Sequence, residues 1–414
     1  MPWYYGWNVV GVGMLFQAFS FGLTVYVYGF WVKPLADTFG ASRFDVMLGL
    51  TLLNLVMGLV APFAGRAMDV GSIRGLVIGG VLAMAAGFAI AGAAPDTWVF
   101  VAAYASLVSL GMILAGPLPS STLAAKWFRA RRGLAIGWSS VGTSIGGLAL
   151  PPLLAIAMSA WGWRGAHYAM AVASVVVLVP LVWLVVANTP EDKGIEPEAD
   201  SEKSRTPPAS HAKTWTTRTI LAERSFWAAA IAFGFLTMVF SGVQANLVPY
   251  AQDAGASRAD AAALMSVMAG AGILGKIVFG AAADRMNHRT LFYIASAILA
   301  AAMLLLREPL DYSLLAATSG LLGLATGGFL PLLGAVVAAR FGPKAFGRVM
   351  GLLGPFTMPV AIVGPPLAGH IFDVTGSYVL AFEIFLGMIA IAGFAILFMR
   401  DVDVPSHPPV APAE

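Results

Sequence analysis

The chain has 414 residues, 59% of them hydrophobic and 11% charged, with a mean hydropathy of +0.82. Soluble domains carry about 25% charged residues, so this composition excludes a soluble globular protein and predicts an all-α integral membrane protein. A net charge of +3 is too small to suggest nucleic acid, and the absence of cysteine rules out a disulfide framework or a thiolate metal site.

Trp3, Tyr4, Tyr5 and Trp7 open the chain as an aromatic cluster suited to the headgroup layer. The apolar run behind them is too long for a signal-peptide core and predicts a first spanning helix over 7–32. Further spans are expected over 44–66, 75–94, 97–125, 133–159 and 165–188. A polar, charged and proline-containing stretch follows, and apolar spans resume at 226–252, 260–283, 290–306, 311–340, 346–372 and 377–399. The expected organisation is a six-helix bundle over 1–188, a cytoplasmic loop over 189–225, a second six-helix bundle over 226–400, and a disordered cytoplasmic tail over 401–414.

Basic residues set the orientation. With both termini cytoplasmic, eighteen Lys and Arg fall on the inner side and only Lys33, Arg43, Arg164, Arg258 and Arg307 on the outer, a strong positive-inside bias. The remaining cation, Lys276, stands alone within the eighth span, preceded by Ala269, Gly270, Ala271, Gly272 and Gly275. Small residues there allow close helix approach, and a lysine at a helix centre costs roughly 2.5–3.5 kcal/mol on insertion scales. A bound anion would compensate it, which makes Lys276 a candidate anion hook; snorkelling or bonding to a neighbouring helix is the alternative.

The two halves also repeat. GRAMDVGSIRGLV after the second span places Gly65, Asp69 and Arg74 at the spacing with which GAAADRMNHRTLF places Gly280, Asp284 and Arg289, with Arg285 beside the second acid. The glycines permit close contact, and the acids and bases can tie helix ends together, so Gly65, Asp69, Arg74, Asp284, Arg285 and Arg289 are candidate gating residues.

Six plus six spans with this repeat resemble the major facilitator superfamily, which implies twelve transmembrane helices in two pseudo-symmetric bundles. The chain departs from that family's loop motif at Val70, where a base is expected, and at Asn287, where a glycine is. Within the superfamily, YYGWNVV at the start resembles monocarboxylate transporters and oxalate:formate antiporters, as does WFRARRGLAIGWSSVGTSIGG from Trp127 to Gly147. The resemblance implies a substrate-pairing cation on the eighth span, usually arginine and here Lys276. Arginine grips a carboxylate bidentately and stays charged, whereas a lysine is a point charge able to give up its proton when desolvated. The acid that animal members carry one turn earlier is replaced by Gly272, their first-span lysine is missing, and the eleventh span offers Thr357 where oxalate exchangers carry a cation. One buried positive charge suits a monoanion better than a dicarboxylate.

The fold so implied has a central cavity. Candidate substrate contacts are Tyr26, Tyr28, Asn54, Gln244, Asn246, Ser121, Ser140 and Thr357, with Phe329 and Phe356 as apolar walls that suit something bulkier than formate. Hydroxyls can instead bond their own helix, and the amides can act as interhelical glue. The expected activity is secondary transport of a small organic monocarboxylate, with Lys276 carrying both anion and coupled proton. Anion exchange and drug/proton antiport on the same fold are the alternatives, and no buried carboxylate supports the latter. No cofactor, metal or nucleotide motif is present in the sequence. The expected partners are protons, the substrate and membrane lipid, with the monomer as the working unit.

Overall fold

A computed structural model of the chain describes residues 4–128, 131–195, 215–283, 285–308, 310–342 and 345–399. Asp284, the tail over 401–414 and most of the central loop lie outside the described residues, as does the side chain of Asp69. Apolar stretches of this length satisfy their backbone groups internally only as helices. The spanning helices are α1 (Gly6–Tyr26), α2 (Arg43–Val70), α3 (Ile73–Ala93), α4 (Thr97–Trp127), α5 and α6 (132–161 and 163–185), α7 (Arg224–Asp253), α8 (Arg258–Ala283), α9 (His288–Leu306), α10 (Tyr312–Phe341), α11 (Arg348–Thr375) and α12 (Val379–Ile396). The helical path from α5 into α6 is far too long for one crossing, and Gly162 breaks it with φ 67° and ψ 179°, a backbone conformation that favours glycine. Among the described residues the count is therefore twelve, as the hydropathy pattern predicts.

Polar residues start many of these helices. Ser42, Ser72, Asp96, Asn287 and Asp311 each accept a hydrogen bond from a backbone amide in the first turn of α2, α3, α4, α9 and α10. Four spans are not regular throughout. The last turn of α1 widens into a π-helix over Gly22–Tyr26 before a 3-10 turn, Tyr28–Trp31, leads into a short helix over Val32–Phe39. A second π segment lies in α4 at Tyr104–Val108, α10 is interrupted at Gly328, and α11 is broken between Ala361 and Gly364. Such interruptions in a membrane helix occur where neighbouring protein satisfies the freed groups.

The two halves are built alike. Glycines of α5 lie so close to α1 that a Cβ on Gly142 or Gly146 would fall 2.1 Å from the carbonyl of Met14 or Ala18. The corresponding pair in the second half is α7 and α11, where a Cβ on Gly364 would fall 2.2 Å from the Met238 carbonyl. Arg74, in the first turn of α3, donates to the Val186 carbonyl at the end of α6, and Arg289, in the first turn of α9, donates to the Met399 carbonyl at the end of α12. Each arginine thus ties the third helix of its half to the sixth.

The opening aromatics do more than sit at a headgroup level. Tyr4 and Tyr5 donate to the carbonyls of Trp127 (2.8 Å) and Val185 (2.9 Å), and the Trp127 indole donates to Ala187 (2.9 Å). Tyr4 packs edge-on and Trp7 at a tilt against Phe128, with ring centroids 5.3 and 4.8 Å apart. The two signature stretches therefore meet, closing the ends of α1, α4 and α6 over their own apolar cluster. Trp127 is fully buried. Trp127→Ala is expected to lose about 3–5 kcal/mol and to lower the melting temperature of the detergent-solubilised protein, whereas the exposed Trp98→Ala should shift it little.

Candidate functional site

A cavity of about 320 Å³ lies between α1 and α2 of the first half and α7 and α11 of the second. Its apolar walls include Phe21, Leu50 and Met358, and its polar groups are Thr51, Asn54, Thr237, Ser241, Gln244 and Thr357. None of the lining residues is charged. Thr51 donates to the Ile362 carbonyl (3.0 Å), Thr237 to Phe233 (2.7 Å), Ser241 to Ala361 (2.7 Å) and Thr357 to Leu353 (3.1 Å). Asn54 donates to the Leu50 carbonyl at 2.8 Å. Gln244 is 6% exposed and forms no hydrogen bond among the described residues.

Lys276 lies elsewhere. It is half-buried on α8, seven residues short of Ala283 and thus nearer one end of the helix than the middle. Its ammonium donates to Ser144 (2.8 Å) and Thr143 (3.3 Å) of α5, joining the two halves, and has no acidic partner among the described residues. Tyr26 packs its ring on Gly147, one turn along α5 from that hydroxyl pair.

The structure brings Asn54, Gln244 and Thr357 together on the cavity wall and leaves the other candidates apart from it. Tyr28 is fully buried inside the first half, donating to the Val46 carbonyl at 2.7 Å and packing edge-on against Tyr104. Asn246 bonds the carbonyls of Gly242 (2.9 Å) and Pro365 (3.2 Å) and accepts from the Tyr378 hydroxyl. Ser140 bonds back to Gly137 of its own helix, and Ser121 is half-buried on α4. Phe329 is buried on α10, while Phe356 packs on Trp227 with centroids 4.8 Å apart. Gly65 is half-buried on α2 and Arg285 is exposed.

Four polar contributors escape the sequence reading: Thr51, Thr237, Ser241 and Ser144. Three carried a signal. Thr237, Ser241 and Gln244 fall at i, i+4 and i+7, one stripe of a helix, and Thr51 lies one turn from Asn54.

Beyond the cavity, at the end holding the α1–α2 and α7–α8 connections, the halves are latched. Asp253 pairs with Lys33 (3.0 Å) and Arg43 (2.6 Å), and Asp373 accepts from the backbone amides of Arg43 and Phe44. The Arg43 guanidinium lies 3.4 Å over the Phe372 ring and donates to the Tyr378 hydroxyl at 2.6 Å. Bonds between the halves thus concentrate at this latch and at mid-depth.

Two pseudo-symmetric six-helix halves enclosing a cavity at their shared interface match a family model described as the Major Facilitator Superfamily, over residues 14–310 and 244–414. The chain belongs to the major facilitator superfamily. It is a multi-pass membrane transporter of that family, whose members transport rather than catalyse. Monocarboxylate transporter 12 of Mus musculus is 25% identical over 417 residues, covering 95% of this chain and 84% of that protein. Monocarboxylate transporter 2 of Homo sapiens is 23% identical over 396 residues, covering 90% and 81%. Among solved structures, an inward-facing, occupied bacterial homolog of the human lysosomal transporter Spinster superposes with a TM-score of 0.75 at 15% identity, covering 96% of this chain and 97% of that one.

Because Arg43 is the hub of this transporter's latch, Arg43→Gln is expected to weaken closure by on the order of 1–3 kcal/mol, between the surface and buried limits for ion pairs. The chain lacks cysteine, so spin labels at Thr38→Cys and Ala254→Cys, on exposed sites either side of the latch, report it directly. The label distance should gain a longer population in Arg43→Gln.

Proposed function

We propose that the chain transports a small organic monocarboxylate across a cell membrane by alternating access, with Lys276 as the group that pairs with the carboxylate. The carrying observation is the ammonium of Lys276, held at the interface of the halves by two neutral hydroxyls and no acid among the described residues. Hydroxyls solvate an ammonium without neutralising it, so the position retains attraction for an anion. Tyr26, packed one turn from those hydroxyls, is a second donor within the same region. The monocarboxylate transporter relatives support the substrate class.

The halves 1–188 and 226–400 rock about this site, joined by the connector 189–225, with both termini in the cytoplasm as the positive-inside bias favours. In that orientation the latch closes the outer side and the cavity is reached from within. Coupling follows from one charge: a lysine that gains its proton with the carboxylate forms a neutral pair at the interface of the halves, which lowers the cost of reorienting. Proton symport is the result, and the monomer holds all the parts. A lysine that keeps its proton would favour anion exchange instead. Antiport of a cationic drug lacks its acid here, since no carboxylate lines the cavity and Glu383 is engaged with Arg307 at 2.9 Å. Arg74 and Arg289, by stiffening each half at its inner end, would let the halves move as bodies.

Uptake of a labelled monocarboxylate panel into proteoliposomes tests this. Accumulation should rise with an inward proton gradient and fall about 30-fold or more in Lys276→Ala, the loss expected when one partner of a buried charge pair is removed. Gradient-independent uptake that requires preloaded anion would select exchange. Carboxylate uptake undiminished in Lys276→Ala would remove the lysine from the site.

A further inference from the structure

The cavity and Lys276 are separate places with opposite chemistry. A hydroxyl has a single proton to donate, and Thr51, Thr237, Ser241 and Thr357 have each directed theirs to a backbone carbonyl. What these side chains present to the cavity is oxygen lone pairs. Asn54, whose amide nitrogen bonds Leu50, adds a carbonyl oxygen with no donor among the described residues. A carboxylate placed here would face acceptors on several sides. A hydroxyl or an N–H would find partners.

Gln244 completes the arrangement. It is more than nine-tenths buried, lines the cavity and bonds nothing among the described residues. Its amide both donates and accepts, so a ligand hydroxyl can give its proton to one of the surrounding oxygens while accepting from the Gln244 nitrogen. The Gln244 amide lines the cavity without a protein partner among the described residues, and a ligand that fills the cavity displaces water from it. A ligand lacking the hydroxyl then leaves the amide unpaired, which is why sites built to bond a hydroxyl reject the analogue without it so strongly.

We propose that this cavity is a specificity subsite for the body of the substrate, selecting monocarboxylates that carry a hydrogen-bond donor, chiefly a hydroxyl, on their carbon skeleton, with Gln244 as the determining residue. The inference rests on the monocarboxylate reading for the anionic end alone; the cavity's preference for a donor stands on its own geometry. Phe21, Leu50 and Met358 hold the apolar part of the skeleton, and about 320 Å³ accommodates a branched chain of several carbons.

Three ligands of one skeleton test it: 2-hydroxy-4-methylpentanoate, 4-methylpentanoate and the neutral 4-methylpentane-1,2-diol. The readout is the ligand concentration giving half-maximal thermal stabilisation of the purified full-length protein. The hydroxy acid should act at about one-tenth the concentration of the plain acid or less, and Gln244→Leu should bring the two within about twofold. The unliganded melting temperature shows whether that variant is folded. If it is not, Ser241→Ala, which removes one acceptor oxygen, should reduce the ratio about threefold. Should the carboxylate reading fail, the diol will still stabilise the protein in a Gln244-dependent manner. Equal or better stabilisation by the plain acid, an unchanged ratio in the folded variants, or stabilisation by none of the three overturns the proposal.

Discussion

An ammonium inside an apolar helix must find oxygen, and in this protein it finds it on the other half of the molecule. Lys276 is the only formal charge between Asp260 and Ala283 of α8, and its partners, Thr143 and Ser144, lie on α5. The small residues of α8 make the geometry possible: a Cβ on Gly275 would fall 2.3 Å from the Leu324 carbonyl of α10, and Gly270 faces Leu148 of α5. Farther along, Ser266 donates to the Leu148 carbonyl at 2.7 Å, so α5 and α8 are joined at two heights. Any relative motion of the halves has to replace the bonds of Lys276, because a charge at this depth is not left without partners. An anion arriving at the interface competes with hydroxyls that are weaker partners than itself.

Around this contact the structure separates rigid parts from movable ones. Glycine-to-carbonyl packing of α5 on α1 and of α11 on α7 welds each half, and Arg74 and Arg289 close the ends. The latch is polar by contrast. Polar contacts between the halves exchange with water at modest cost, whereas glycine-packed backbones do not separate without losing close contact. The cavity and the latch also share a helix. Gln244 faces the cavity from α7, and two residues on, Asn246 bonds Pro365 of α11 and accepts from Tyr378, which accepts from Arg43. Movement of α7 against α11 on filling the cavity would therefore be felt at Arg43.

Much of this was legible in the amino acids. Span number, the break near Gly162 and the two-half repeat follow from hydropathy, glycine and charge, because lipid leaves the backbone few options. Asn54, Gln244 and Thr357, on three different helices, also stand out as polar residues in apolar spans. Facing directions near irregular turns do not. Tyr26 and Tyr28, two residues apart, face different sides of a regular helix, and the π turn at Gly22–Tyr26 and the 3-10 turn after it change the register again, with Tyr28 in the core of its own half and Tyr26 on Gly147. Nor does sequence show that a hydroxyl has already given its proton to a carbonyl, which decides whether the cavity attracts anions or donors. The position of Lys276 toward one end of α8 does read from the sequence, because the expected span, 260–283, stops where the helix stops.

The central claim is that anion binding and motion of the halves meet at Lys276. Spin labels at Val70→Cys and Arg285→Cys, exposed at the ends of α2 and α8, follow the separation of the halves on the side opposite the latch. The account predicts that a transported monocarboxylate shifts this distance distribution in the otherwise unaltered protein and leaves it unmoved in Lys276→Met. An equal ligand-induced shift in Lys276→Met would contradict it and return the lysine to a purely structural role.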